Sequence, residues 1–412
     1  MVNSFPEKKD DALLDAVGRG LAWFRNSGVM DPADGKWGVA ERIAVTHGNA
    51  ALENIKKAFH AWTPYDGYCV IEQRRADCNF QTAYLFLLAA DAFGSAEYRA
   101  VGENLLYFLY CRSGLLMRYD EGVPHDLWQW SHIRQTPQPY FDDNAWCLFI
   151  ELAIADLRPD LDARFGMREQ AERLAAKMLP AARRTFRAQP EARVDRWSDP
   201  AEVWLGNMYY PHWCSLAVMA LSAAYRRWPS DEAALEIRRW SEFVDGNIAE
   251  WNTSELGYAI LGAACAARAF PQDPWYREHL SRLGARLLAK QDPATGNFAS
   301  EHDAETPAGP HLVDTIYTVN WVFPALQCLG EPAREARAKL LGLLLKIQDD
   351  SPEKQFSGCW RGMYDLNARS WGGGDRFEGG ANSIYTGWTN APIGIWLLAE
   401  RENKSLADLC GM

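Results

Sequence analysis

DDNAWCLFIELAIADLRPDLDARFGMREQAERLAAKMLPAARRTFR, residues 142–187, holds two helical stretches of opposite kinds. After its opening aspartates, 142–156 carries only Glu151 before Asp156, and a helix apolar all round is a buried helix. In 168–187 the charges recur every three or four residues, leaving one wet face and one apolar stripe. The same alternation runs through the chain. Amphipathic stretches lie at 12–27, 96–112, 168–187, 231–250, 274–291 and 333–348. Nearly uncharged ones lie at 77–93, 142–156, 211–228, 254–270, 311–329 and 381–400. Six buried helices alternating with six half-exposed ones predict an all-α fold, an (α/α)6 toroid with six inner and six outer helices. Inner-to-outer turns are short. Most outer-to-inner loops are long (113–141, 188–210, 292–310, 349–380), which gathers them on one face, over the polar starts of the inner helices.

Between 28 and 76 the alternation lapses, and 47–62 reads as an additional helix. Strand content is expected to be minor, with Leu115–Tyr119 a candidate. The β-branched runs of a doubly wound sheet are missing, as are a G-x-G-x-x-G, a P-loop and a G-x-S-x-G. No Pro/Ser-rich linker interrupts 1–412, so one domain is expected.

The 412 residues are 48% hydrophobic and 24% charged, which excludes disordered and fibrous classes. A net charge of −11 disfavours nucleic acid and anionic membrane as partners. The uncharged runs 203–225 and 379–399 contain Asn207, His212, Asn382 and Asn390, so they read as buried helices rather than membrane spans. Met1–Asp11 is polar, with no apolar leader. Nine cysteines without a C-x-x-C pair suit reduced thiols, and a cytoplasmic location is expected. No metal or cofactor is expected; His302-Asp303 beside Glu301 lacks a metal spacing.

Eighteen Trp exceed 17 Phe and 16 Tyr. Indoles in such number suit flat platforms lining a cleft, and the C–H faces of sugar rings fit them. The expected sugar-binding residues, at inner-helix starts and in long loops, are Arg74, Trp128, Trp130, Tyr140, Trp146, Tyr210, His212, Trp213, His311, Tyr317, Trp321, Arg361, Trp371, Tyr385 and Trp388.

The sharpest motif is Tyr140-Phe-Asp142-Asp143-Asn-Ala-Trp146: two carboxylates opening a buried helix, where the N-terminus favours negative charge. Plain helix capping would place aspartates there too. Glycosidic-bond cleavage uses two carboxyl groups, one held protonated and one ionised. Asp375 and Glu378, in the Gly-rich stretch 371–380, are alternative catalytic carboxylates, with Arg376 between them.

With this motif and the helix alternation, the chain resembles the six-hairpin glycosidase superfamily. The motif is similar to the Y-x-D-D-x-x-W setting of bacterial endo-α-mannanases. The resemblance implies a glycoside hydrolase acting on an oligosaccharide, with Asp142 and Asp143 as nucleophile and general acid/base. The alternative is a polysaccharide lyase or sugar epimerase on the same fold, in which His212 or His311 with a tyrosine abstracts a proton next to a carboxylate. Arg74 and Arg75 would suit a uronic acid. Gln291–Phe298 faintly resembles a terpene-cyclase repeat, and a non-catalytic binding protein is the remaining class.

Overall fold

The structure is a computed structural model that describes residues 5–118, 125–133, 138–188, 204–301, 309–373 and 379–409. Its helices are α1 (Phe5–Asn26), α2 (Leu52–Phe59), α3 (Ala76–Phe93), α4 (Ala96–Tyr107), α5 (Phe141–Leu157), α6 (Pro159–Phe165), α7 (Met167–Ala188), α8 (Pro211–Tyr225), α9 (Asp231–Gly246), α10 (Thr253–Ala269), α11 (Pro274–Leu288), α12 (Val319–Leu329), α13 (Arg334–Ile347), α14 (Ala391–Arg401) and α15 (Leu406–Leu409). Helices α3, α5, α8, α10, α12 and α14 form the inner ring. Each packs on the next, and α14 returns against α3. The outer partners are α1, α4, α7, α9, α11 and α13. The composition of the two sets explains the layers: α5 is buried from Phe141 through Ala155, whereas α9 buries only a stripe including Ile237, Trp240 and Val244.

The inner helices approach closely where side chains are smallest. On Gly262 of α10 a Cβ would lie 2.5 Å from the Ser215 carbonyl oxygen of α8, a contact with backbone that cannot swing aside. Gly262→Ala is therefore expected to destabilise by about 1–3 kcal/mol, read as a lowered midpoint of denaturant unfolding.

Two inner helices begin later than their sequence suggests. Residues 312–318 are not helical: β4 (Leu312–Asp314) is followed by a turn in which Asp314 Oδ1 accepts the N–H groups of Ile316 and Tyr317 at 2.9 and 3.0 Å. A side chain that caps those donors stops the helix from extending backward. Residues 380–390 form a 3-10 turn, then β7 (Ser383–Tyr385), then a π-turn (Thr386–Asn390), and α14 starts beyond them.

The stretch without alternation supplies β1 (Arg42–Val45), β2 (Trp62–Tyr65) and β3 (Tyr68–Ile71), and the helix expected at 47–62 is the shorter α2. With β7 these make a four-stranded antiparallel sheet ordered β2-β3-β1-β7, in which Arg42 sits opposite both Ile71 and Tyr385. A second sheet, β4-β5-β6, adds β5 (Met363–Asp365) and β6 (Ser370–Trp371). The candidate strand at 115–119 is a single bridge from Leu116 to Trp128, and Tyr119 lies outside the described residues. Both sheets sit at the end of the ring where the inner helices start. No described helix is long and apolar enough to cross a membrane, and the eight described cysteines are free thiols.

Candidate active site

Tyr140, in extended conformation, turns the chain into α5, so Asp142 and Asp143 fall in its first turn. Asn144 ties the preceding loop across that turn. Its Oδ1 accepts the Trp128 N–H at 2.8 Å, and its Nδ2 donates to the carbonyls of Trp128 and Tyr140 at 2.9 and 2.8 Å. This anchors Trp128 in the core, edge-on to Phe80 and Tyr110.

The two aspartates have different partners. Asp142 Oδ2 lies 2.6 Å from His212 Nε2 at the start of α8, while its Oδ1 is buried without a partner. Asp143 Oδ1 accepts from Arg75 Nη2 at 2.7 Å. Arg75, 7% exposed and just ahead of α3, also donates to both oxygens of Asp77 at 3.2 Å and to Glu41 Oε1 at 3.3 Å. Glu41 in turn reaches back, its Oε2 lying 3.3 Å from Arg42 Nε.

Arg75 thus faces three buried carboxylates, with Asp142 close by. Burial pushes the Asp143 carboxyl well above the ordinary carboxylate range; Asp77 and Asp142 push the same way, and Arg75 opposes them. Burial also raises Asp77, against the pull of Arg75. Two adjoining acids that both resist ionisation titrate as a pair rather than singly.

Trp388 sits between the two halves of this site. Its place depends on the π-turn, a distortion often found at functional sites. Gly387 packs so tightly there that a Cβ would lie 2.3 Å from Cys78 Cα. Asn320 Nδ2 donates to the Trp388 carbonyl at 2.5 Å, and Asn390 Nδ2 donates to that of Tyr385 at 2.7 Å. The indole then lies nearly parallel to His212, at 5.9 Å and 13°, and 5.1 Å from the Arg75 guanidinium carbon.

Of the other expected sugar-binding residues, Trp130, Tyr140 and Trp213 are half-buried beside the aspartates. Tyr140 lies 5.6 Å from Trp130 and 6.2 Å from Trp213. Trp146 and Trp321 stack at 5.1 Å in the core. Tyr210 is exposed. Arg74 turns to Glu72 and the Trp37 carbonyl, leaving the inward role to Arg75. Tyr385 is buried in β7, its hydroxyl accepting from Arg42. Trp371 belongs to the second sheet, where it meets Tyr364 edge-on; His311 directly precedes β4, its carbonyl accepting the Leu366 N–H, and the Tyr317 carbonyl accepts from Ser254. Arg361 donates to the Ala381 carbonyl. Glu255, at the start of α10, closes a capping box with Asn252. Asp375, Arg376, Glu378, His302 and Asp303 lie outside the described residues. Among those described, no group of three or more His, Cys, Asp or Glu could hold a metal ion.

Glu41 and the inward role of Arg75 escape sequence reasoning. Glu41 lies in the stretch without helical period, and the β1–β3 pairing, continued by the Glu41 N–H donating to the Gln73 carbonyl at 2.8 Å, brings it to Arg75.

No protein-family model matches the chain, and no curated protein matches it in sequence. Solved structures do. The cellobiose 2-epimerase of Spirochaeta thermophila matches with TM-score 0.61 at 12% identity, over 98% of this chain and 99% of that one. A D-mannose isomerase matches with TM-score 0.57 at 12% identity, over 97% and 100%. An α-1,6-mannanase of Salegentibacter matches with TM-score 0.52 at 10% identity, over 97% and 100%. That mannanase structure is of an inactive variant, with two adjacent aspartates changed to asparagine, in complex with α-1,6-mannotriose. At these identities the likeness is one of fold, the (α/α)6 toroid that the chain has in common with the epimerase, the isomerase and the mannanase.

Proposed function

We propose that the chain is a glycoside hydrolase in which Asp143 is the general acid and Asp142 the ionised partner. The observation that carries this is the unequal setting of two adjacent carboxyls. Asp143 is buried with Asp77 and Asp142 close by and so resists ionisation despite its bond to Arg75, whereas Asp142 is bonded to His212 instead. Cleavage of a glycosidic bond needs this division between a proton donor and a carboxylate. Asp143 gives its proton to the leaving oxygen as the bond to the anomeric carbon breaks. Asp142 stabilises the positive charge that develops there, either by bonding to that carbon or by taking a proton from the attacking water. His212 fixes the orientation of Asp142. The inactive mannanase with two substituted adjacent aspartates lends support by analogy.

A second reading rests on the 2.6 Å contact of His212 with Asp142. A half-buried imidazole steadied by a carboxylate can move a proton next to a sugar carbonyl, which is epimerase or isomerase chemistry.

One experiment separates them. The protein is incubated in D2O with α-1,6-manno-oligosaccharides, cellobiose and mannose. Hydrolysis is expected to raise the number of reducing ends without placing deuterium on carbon. Deuterium at C2, with reducing ends unchanged, would replace the hydrolase reading with the second. With a polyuronate added as a further substrate, a product with a double bond conjugated to the carboxylate, seen by ultraviolet absorbance, would indicate a lyase.

A further inference from the structure

Aromatic platforms that serve the middle of a long sugar chain run away from the reacting carboxyls on both sides. Here they run round and return. From Trp130 the path goes to Tyr140 at 5.6 Å, to Trp213 at 6.2 Å, to His212 at 5.3 Å, to Trp388 at 5.9 Å, to the Arg75 guanidinium at 5.1 Å, and back to Trp130 at 5.8 Å. The two aspartates are bonded to this collar at two points, Asp142 to His212 and Asp143 to Arg75. They are only 5% and 3% exposed.

Two polar atoms within the collar lack partners: the Asp142 Oδ1 acceptor and the Trp388 indole N–H donor, both buried. Burying such groups unpaired is costly, and ligand hydroxyls, which donate and accept, match an acceptor and a donor of this kind. The collar's guanidinium does not serve to read an anion, because Glu41, Asp77 and Asp143 already surround it.

We propose that the site is a pit for one neutral sugar unit, the end residue of a chain or a free sugar, so that the enzyme trims ends rather than cutting within a chain. The proposal rests on Asp142 and Asp143 being the reacting pair. It adds the class of sugar and the direction of entry.

The test is binding as a function of chain length, by calorimetry, with the wild type and Asp143→Asn. The probes are α-1,6-manno- and β-1,4-gluco-oligosaccharides of one to five units, with glucuronic acid as the anionic comparison. In at least one series, affinity is expected to level off, changing less than about threefold beyond two units, and glucuronic acid is expected to bind more weakly than the neutral monosaccharide. Trp388→Leu is expected to weaken the monosaccharide about tenfold, the order of loss of one aromatic contact. Affinity that climbs through five units, preference for glucuronic acid, or no binding in either series would overturn the pit. Binding that levels off without turnover would leave the pit standing and remove the hydrolase reading. Where turnover occurs, release of internal fragments from chains blocked at the non-reducing end would overturn end-trimming.

Discussion

Asp143→Asn is expected to lower kcat by about 10²–10⁴-fold, the usual contribution of a general acid, while the protein stays folded. The change is nearly isosteric, and it removes one of three carboxylates crowded on a single guanidinium, so the loss belongs to chemistry and not to packing. Arg75 keeps Asp77 and Glu41 as partners in the variant. Release of reducing ends measures the rate, and thermal unfolding checks the fold. A rate near that of the wild type would remove Asp143 from the acid role. Asp142→Asn is expected to cost at least as much, because it also unseats His212. The two losses should not add, since both residues serve one step.

Arg75→Met is expected to have the largest effect on stability. It leaves Glu41, Asp77 and Asp143 buried without their shared cation, and breaking a buried ion pair from one side costs about 3–5 kcal/mol. The pH dependence gives this cause a signature. Asp77 and Asp143 have folded-state pKa values above their unfolded ones. Between the two values the folded chain holds more protons, so stability falls as pH rises above the unfolded carboxylate range near 4. Arg75 restrains that fall. Urea unfolding at pH 7 should therefore show the full deficit of the variant, and unfolding at pH 4 a much smaller one. An equal deficit at both values would mean that Arg75 acts through packing and not charge. In the Asp143→Asn background the Arg75→Met deficit should shrink, because the two residues are in contact.

The ring of helices was legible because burial on all sides and burial on one side leave different patterns of charge. The aspartate pair was legible because it opens a helix of the first kind. The late starts of α12 and α14 were not, since 312–318 and 380–390 are as poor in charge as a buried helix; small sheets hide them, and no periodicity distinguishes the two cases. Sequence could not say which of Arg74 and Arg75 turns inward. Successive residues in extended chain face opposite ways, and the β conformation of Arg75 at the edge of α3 decides the matter. Glu41 is harder still, because its role exists only through residues far away in the chain.

The strand pairing that joins β1 to β7 has a consequence for biosynthesis. Arg42 and Tyr385 are neighbours in the sheet, and the Glu41 carbonyl accepts the Thr386 N–H at 2.9 Å, although over three hundred residues separate them. Contacts of such long range close slowly. While the ribosome is still adding the residues of the last hairpin, the early helices can already pack, but Trp388 does not yet exist to lie over the guanidinium. The proposed sugar recognition is therefore expected to switch on only at the end of translation, and a nascent chain halted before Tyr385 would be well advanced in folding and still blind to such a ligand.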